Sequence, residues 1–240
     1  MRVGLVVVSH SAKLAEGVCE LAAQMAGDVT LVPAGGTDDG GIGTSLDKIQ
    51  AGIAAADTGG GAVLLADLGS AVMTAEMAME FLNDEQRSRV ELADAPLVEG
   101  TVAAAVAAQG GRNVAEVVRE AQAAGGSGGG EPGAAPEGTD AGEIDDRDDI
   151  DPEDDSVHRA SWTLINPMGL HARPAAAVAQ AMSDLDAEIT INGVDAKSVM
   201  MLMSLGLGQG KTLSMTAHGP DAERAVEMMG LEVRNGFGEI

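Results

Sequence analysis

A chain of 240 residues can hold two modest domains, each with its own core. Its 38 acidic residues against 14 basic ones leave a formal charge of −24, which argues against nucleic acid and anionic membrane as partners. The acids run through the apolar-patterned parts as well as a tail, lysine is scarce and Tyr is absent, a composition suited to a high-salt cytosol whose ions screen the self-repulsion.

The first element is Val3 to Val8, a valine-rich apolar run of the kind seen in strands buried on both faces. It stops at Ser9-His10, too early for a membrane span, and no signal-peptide cleavage region follows, so a cytoplasmic protein is expected. Leu14, Val18, Leu21, Ala22 and Met25 recur at helical spacing. Cys19 among them reads as a small core residue; being the single cysteine, it leaves no internal disulfide and no cysteine-based zinc site. A strand is predicted over Asp28 to Val32, then a Gly-rich loop from Ala34 to Thr44 and a helix capped by Ser45 that runs through Ala56. Next come a strand from Ala62 to Ala66 that stops at Asp67, a helix from Ser70 to Leu82 and a strand near Val90 to Leu92. Helices over Leu97 to Ala108 and Val114 to Ala124 complete a parallel α/β sheet domain with right-handed crossovers, residues 1–124.

In such a sheet ligands gather beyond the carboxyl ends of the strands, where His10 and Asp67 both fall. The carboxylate can fix the imidazole tautomer and leave the other ring nitrogen as a nucleophile. Equally, His10 can cap the helix beginning near Ser11 and Asp67 the one near Ser70. The loop carrying Gly36, Thr37, Gly43 and Thr44 approaches the same rim, either as a phosphate cradle of backbone N–H groups or as a plain connection.

Residues 125–156 change character, from glycine, proline and alanine to an acidic run, Glu143 to Asp151. Low hydrophobicity with high charge predicts a disordered linker, and the Asp-x-Asp-x-Asp-Gly spacing of a calcium loop is missing. Such a tether brings two domains to an effective concentration of about a millimolar.

Residues 157–240 read as α+β. Strands are predicted over Ser161 to Ile165, Glu188 to Ile191, Val194 to Ala196 and Thr212 to Ala217, the second and third joined by an Asn192-Gly193 turn. Helices start at His171 and run over Ser198 to Leu205 and Asp221 to Arg234. Gly208 to Thr212 lacks the first glycine of a P-loop, which would be Leu205, and it precedes a strand, so no nucleotide site is visible. Ser198 most simply caps the short helix, and Val199, Met200 and Met203 form either a soft docking patch or core. His158 and His218 sit in no chemical motif and take no role.

The sharpest signal is Gly169-Leu170-His171-Ala172-Arg173-Pro174 ahead of the apolar run Ala175 to Met182. It puts His171 at a helix start and Pro174 in the first turn, where a missing N–H costs nothing. Unpaired N–H groups and the positive dipole end favour an anion on the imidazole, and Arg173 can add a bidentate grip. On residue types alone, a phosphoryl group on His171 and a plain capping histidine beside a solvated arginine stand about even.

This loop, with the run Lys197 to Leu207 and Gly210 at the expected distance, resembles HPr, the histidine phosphocarrier of the phosphoenolpyruvate (PEP)-dependent phosphotransferase system, over the last third of the chain. Met168 stands where that family often has a small or polar residue, so no side-chain bond to phosphate is expected from it. Upstream, Val8-Ser9-His10-Ser11, Gly35-Gly36-Thr37 with Gly43-Thr44-Ser45, Ala66 to Ala71 and Ala95 to Gly100 look like the phosphotransferase subunits of PEP-dependent dihydroxyacetone kinases. Those subunits are similar in turn to mannose-type IIA domains.

The resemblance implies phosphohistidines at His10 and His171 with Asp67 and Arg173 as their supports, and an HPr-like open-faced sandwich at the C-terminus. It also implies a homodimer through the N-terminal domain, and neither metal nor cofactor of the chain's own. Its partners would be the PEP-utilising enzyme I, a nucleotide-binding subunit and a dihydroxyacetone-binding subunit. Phosphate would pass from enzyme I to His171, then to His10, then through nucleotide to dihydroxyacetone, an overall PEP-glycerone phosphotransferase. Two rivals use the same histidines: a IIA component of a mannose-type sugar transporter, and a regulatory protein whose phosphorylation state others read. With its acidity, the chain suits a halophilic archaeon.

Overall fold

The computed structural model describes residues 1–125 and 157–239; apart from Gly125, the acidic stretch expected as a linker lies outside the described residues. The N-terminal half runs β1 (Gly4–Ser9), α1 (Ala12–Ala23), β2 (Leu31–Gly35), α2 (Leu46–Ala56), β3 (Ala62–Ala66), α3 (Gly69–Glu80), a one-turn α4 (Asp84–Arg87), β4 (Val90–Ala93), α5 (Leu97–Gln109) and α6 (Val114–Ala123). All four strands are parallel, in the order β2-β1-β3-β4. Every residue of β1 is buried, which is why its sequence shows no alternation. Leu5, Val63 and Leu65 pack with α1, α5 and α6, whereas Val6, Val8, Leu64 and Ala66 pack with α2 and α3. The chain leaves β1 for one flank and returns through β3 on the other, so the connections after these two strands diverge and leave a crevice at their carboxyl ends.

Two boundaries differ from the apolar pattern. Strand β2 begins three residues later than expected, because Asp28 is tied to Gln109 by its backbone N–H and its carboxylate and so belongs to the turn out of α1. It then runs on to Gly35, where a Cβ would come within 2.6 Å of the Ser11 carbonyl; only glycine lets the strand end approach the start of α1 this closely. The one-turn α4, closed by an Asn83 capping box, has no apolar periodicity to announce it.

The C-terminal half comprises β5 (Val157–Thr163), α7 (Ala172–Ser183), β6 (Glu188–Ile191), β7 (Val194–Asp195), α8 (Val199–Ser204), β8 (Thr212–His218) and α9 (Ala222–Arg234), ending in a 3-10 turn, Gly236–Gly238. Its antiparallel sheet, β5-β8-β6-β7, turns Leu213, Met215, Ala217, Ile189 and Ile191 inward against Val178 and Met182 of α7, Leu202 of α8 and Met229 of α9. Asn192 and Gly193 both adopt positive φ, 47° and 85°, as the tight hairpin between β6 and β7 requires. Strand β5 starts four residues before the predicted one and ends before Ile165; its ladder with β8 pairs Val157 with His218, and backbone bonds carry a strand whose side chains are too polar to signal it.

Ser198 caps α8, its hydroxyl accepting from the Met201 N–H. Val199 is buried and Met200 and Met203 pack partly against the core, so the methionines that face solvent beside the His171 loop are Met168 and Met201. Gly169 holds that loop at φ 63°, with the carbonyl of Leu207 and the Cα of Gly208 in the space a Cβ would take. Gly169→Ala is therefore expected to destabilise the C-terminal half by about 1–3 kcal/mol. Thermal unfolding reads this as a lowered midpoint; an unchanged one would show that the loop has another way to relax.

Candidate functional site

His10 follows β1 and Asp67 follows β3, so the pairing of Val8 with Ala66 sets them side by side. Asp67 Oδ1 lies 2.8 Å from His10 Nδ1 and accepts the Leu68 N–H at 2.8 Å. Its Oδ2 accepts the His10 N–H at 2.9 Å and the Ser9 hydroxyl at 2.7 Å. A carboxylate on Nδ1 places the ring proton there and leaves the Nε2 lone pair as the reactive one. Nε2 stands 2.6 Å from the Ser70 hydroxyl, in the first turn of α3, whose N-cap Leu68 supplies no side-chain bond. The first N–H groups of α3 thus stay open beside the reactive nitrogen, an arrangement that suits an anion. The capping alternatives do not hold: Ser11 caps α1 by accepting from Leu14, and the Asp67 side chain turns to His10 instead of capping α3.

Burial pushes the Asp67 carboxyl up, but hydrogen bonds from the His10 N–H, Ser9, the His10 ring and Leu68 outweigh it and hold the group below the usual carboxylate range. A depressed carboxylate gives stability that is complete above its unfolded pKa, about 3.9, and is lost as pH falls through the lower folded value. Asp67→Asn is expected to flatten the acid limb of unfolding midpoint against pH below about pH 4. Parallel curves for the two proteins would contradict the linkage.

The glycine-rich loop lies beside His10 but spends its donors on the backbone there. The Gly36 N–H donates to the Ser9 carbonyl at 3.0 Å, and the Gly43 N–H to that of His10 at 2.9 Å. The Thr37 N–H bonds Gly41 within the loop, and the hydroxyls of Thr44 and Thr74 meet at 3.0 Å. Lys48 Nζ ties the loop down through the carbonyls of Gly35 (3.1 Å) and Thr37 (2.8 Å). In this arrangement Gly36 and Gly43 position the histidine backbone and do not stand open as a phosphate cradle.

His171 is the N-cap of α7, with no side-chain bond to the helix. The Ala175 N–H closes onto its carbonyl at 2.9 Å and Pro174 has no N–H, which leaves those of Ala172 and Arg173 as the open donors of the first turn. His171 Nε2 lies 2.8 Å from Glu239 Oε1, and Glu239 Oε2 accepts from Asn166 Nδ2 at 2.9 Å. The same Asn166 amide donates to the Gly169 carbonyl at 2.8 Å, joining the loop to the carboxylate. Here the carboxylate claims Nε2, which leaves the lone pair on Nδ1, the opposite of His10. The Asn166 bond draws the Glu239 carboxyl down, burial opposes it, and the His171 bond and the charges of His171 and Arg173 complete a net lowering. Arg173 itself is exposed beside the open helix end.

Ser9, Ser70, Asn166 and Glu239 are additions to the residues the sequence singles out. Ser9 and Ser70 flank His10 and Asp67 within the same motifs, whereas Glu239 stands 68 residues from His171 and only the fold returns it.

This pairing of a parallel α/β half and an antiparallel α+β half, each presenting a carboxylate-backed histidine at a helix start, defines a class: phosphotransferase-system carriers with a IIA half and an HPr half. Family models for the PTS system fructose IIA component and for the PTS HPr component phosphorylation site match residues 4–118 and 158–234. The chain is 32% identical over 99% of its length to the phosphoryl donor subunit DhaM of the PEP-dependent dihydroxyacetone kinase of Providencia stuartii, of which the match covers 50%. It is 41% identical, over 43% of its length, to DhaM of dihydroxyacetone kinase 2 of Listeria innocua, covering 84% of that protein. A crystal structure titled as a protein of unknown function, EF1359, is 38% identical with a TM-score of 0.50, covering 54% of this chain and 100% of that one. The chain belongs to the DhaM family. It spans about half the length of the curated relatives it matches from end to end. Among the described residues no helix is long and apolar enough to cross a membrane.

Proposed function

We propose that the chain relays a phosphoryl group through His171 and then His10. Enzyme I, charged by PEP, delivers phosphate to Nδ1 of His171, where the open N–H groups of α7 and the Arg173 guanidinium offset its charge. Nε2 of His10 then attacks phosphorus in line: the Nε2–P bond forms as the P–Nδ1 bond breaks, and His171 leaves as a neutral imidazole, its proton still on Nε2. Asp67 balances the positive charge that grows on the His10 ring as its nitrogen bonds phosphorus. For the Nε2 position to be filled, the Ser70 hydroxyl must swing off the nitrogen, and it then stands beside the new phosphoryl oxygens. The observation that carries this reading is the complementary placement of the two carboxylates, on Nδ1 of His10 and on Nε2 of His171, each histidine beside open helix N–H groups.

The relatives are named as phosphoryl donor subunits of dihydroxyacetone kinases, so the proposed acceptor is nucleotide on a partner subunit that phosphorylates dihydroxyacetone held by another. A cytoplasmic location and a homodimer of N-terminal halves belong to the same reading; the dimer would cover the exposed Met73 and Met77 of α3 and Phe81 at its C-cap. With enzyme I, PEP and both partner subunits present, adding the chain is expected to switch on formation of dihydroxyacetone phosphate. Labelled histidines without that product would turn the assignment toward sugar transport.

A further inference from the structure

Helix α5 is covered on two sides. Ala104, Ala105 and Ala108 pack on its own sheet, whereas Val102, Ala103 and Val106 belong to the apolar cluster of the C-terminal half. The sequence fits this, since Glu99 is the helix's one charged residue, and a helix apolar all round has to be buried all round. Polar contacts frame the patch: Gln180 Nε2 donates to the Met25 carbonyl at 2.9 Å, and Arg112 Nη2 reaches the Ser183 carbonyl at 3.5 Å. Between them a small cavity is lined by Ala103, Ala107, Glu120, Ser183 and Lys197.

The contact draws on the parts of each half remote from its histidine. Gln109, at the end of α5, is bonded to Arg2 just ahead of β1, whose far end carries His10 roughly 20 Å from Gly4 at strand rise, and the patch residues Val106 and Ala103 lie one to two turns back along α5 from Gln109. Gln180 and Ser183 lie in the last turns of α7, roughly 13–18 Å along the helix from His171 at its start. His171 is engaged by Glu239 and His10 by Asp67 and Ser70, each within its own half.

We infer that the outer face of α5 is a docking surface for the chain's own C-terminal half, and that this contact parks His171 away from His10 between transfers. The inference rests on the relay proposed above, because parking matters only if the two histidines must meet. The contact also brings carboxylates of the two halves near each other. Burial pushes the Glu120 carboxyl up, Arg112 and Arg119 offset this only in part, and Asp195 of β7, a carboxylate from the opposite half, adds to the rise along with Glu116. The 31 residues between the described halves span up to roughly 100 Å, so chain length does not hold them together once the contact opens.

Two variants of the full chain test this from opposite sides: Val106→Asp on α5, and Ser183→Arg on α7, which sets a second cation beside Arg112. Each is expected to keep its circular dichroism, to raise the radius of gyration in small-angle scattering, and to speed the appearance of label at His10 after enzyme I charges His171, by about tenfold if closed molecules dominate. Glu120→Gln, which removes the like charge facing Asp195, is expected to do the reverse. Unchanged scattering in both opening variants, or unchanged or slower His10 labelling, overturns the inference. A fall in molecular mass assigns the α5 face to a second copy of the chain and also overturns it. Absence of label at His10 in every protein, wild type included, with scattering responding as expected, instead defeats the relay and leaves the docking contact standing.

Discussion

His171→Ala is expected to take no label from enzyme I on either half, and His10→Ala to be labelled at His171 yet to support no dihydroxyacetone phosphate. Each histidine is a covalent way-station, so removing one blocks the steps after it and none before. The tautomers sharpen the expectation, because a phosphoryl group on Nδ1 of His171 and one on Nε2 of His10 are different isomers that NMR of the denatured, labelled chain distinguishes. Mixing the two variants should restore product at a rate that depends on concentration, since phosphate must then cross between chains. Arg173→Ala should slow charging of His171 without stopping it, because the helix start still offers its N–H groups. Label at His10 in a His171→Ala chain supplied with enzyme I alone would reverse the proposed order.

Exchanging the two carboxylates for amides should separate their contributions. Asp67 receives four hydrogen bonds, two on each oxygen, so Asp67→Asn turns an NH2 group against at least two donors and releases the His10 tautomer. Transfer into His10 should fall by about two orders of magnitude. Glu239 accepts fewer bonds, and Gln can still receive the His171 Nε2 proton through its carbonyl, so Glu239→Gln should slow transfer from His171 by about tenfold or less. Rapid-quench measurement of single turnovers reads both. Equal slowing by the two substitutions would mean that the carboxylates act through overall charge and not by fixing tautomers.

Much of this molecule is legible from local pattern. Val3 to Val8 lacks alternation because β1 is covered on both faces, and Asn192-Gly193 demands positive φ, so the central strand and the hairpin follow from residue chemistry alone. The motif around His171 places a helix start because Pro174 fits only an early turn, and Ser45 and Ser198 cap where a hydroxyl before an apolar run should. Both histidines and Asp67 are marked by where strands and helices begin and end. The pattern is weaker where backbone bonds carry an element, as in β5, and where a side chain from elsewhere ends one, as Gln109 does at the start of β2.

What each histidine can do was left to the tertiary structure. In sequence, Asp67 reads equally as a cap, and only the adjacency of β1 and β3 brings its carboxylate to Nδ1 of His10 while α3 sets Ser70 on Nε2. Glu239 carries no signal toward His171, since no periodicity links positions 68 residues apart; the return of the chain through α9 and the 3-10 turn puts it on Nε2. The choice of nitrogen, and with it the direction from which phosphate can be taken or given, depends on contacts between segments distant in the chain. Such contacts exist only once the cores have closed: local pattern puts His10 and His171 at the ends of their elements, and the fold sets which ring nitrogen of each meets a carboxylate.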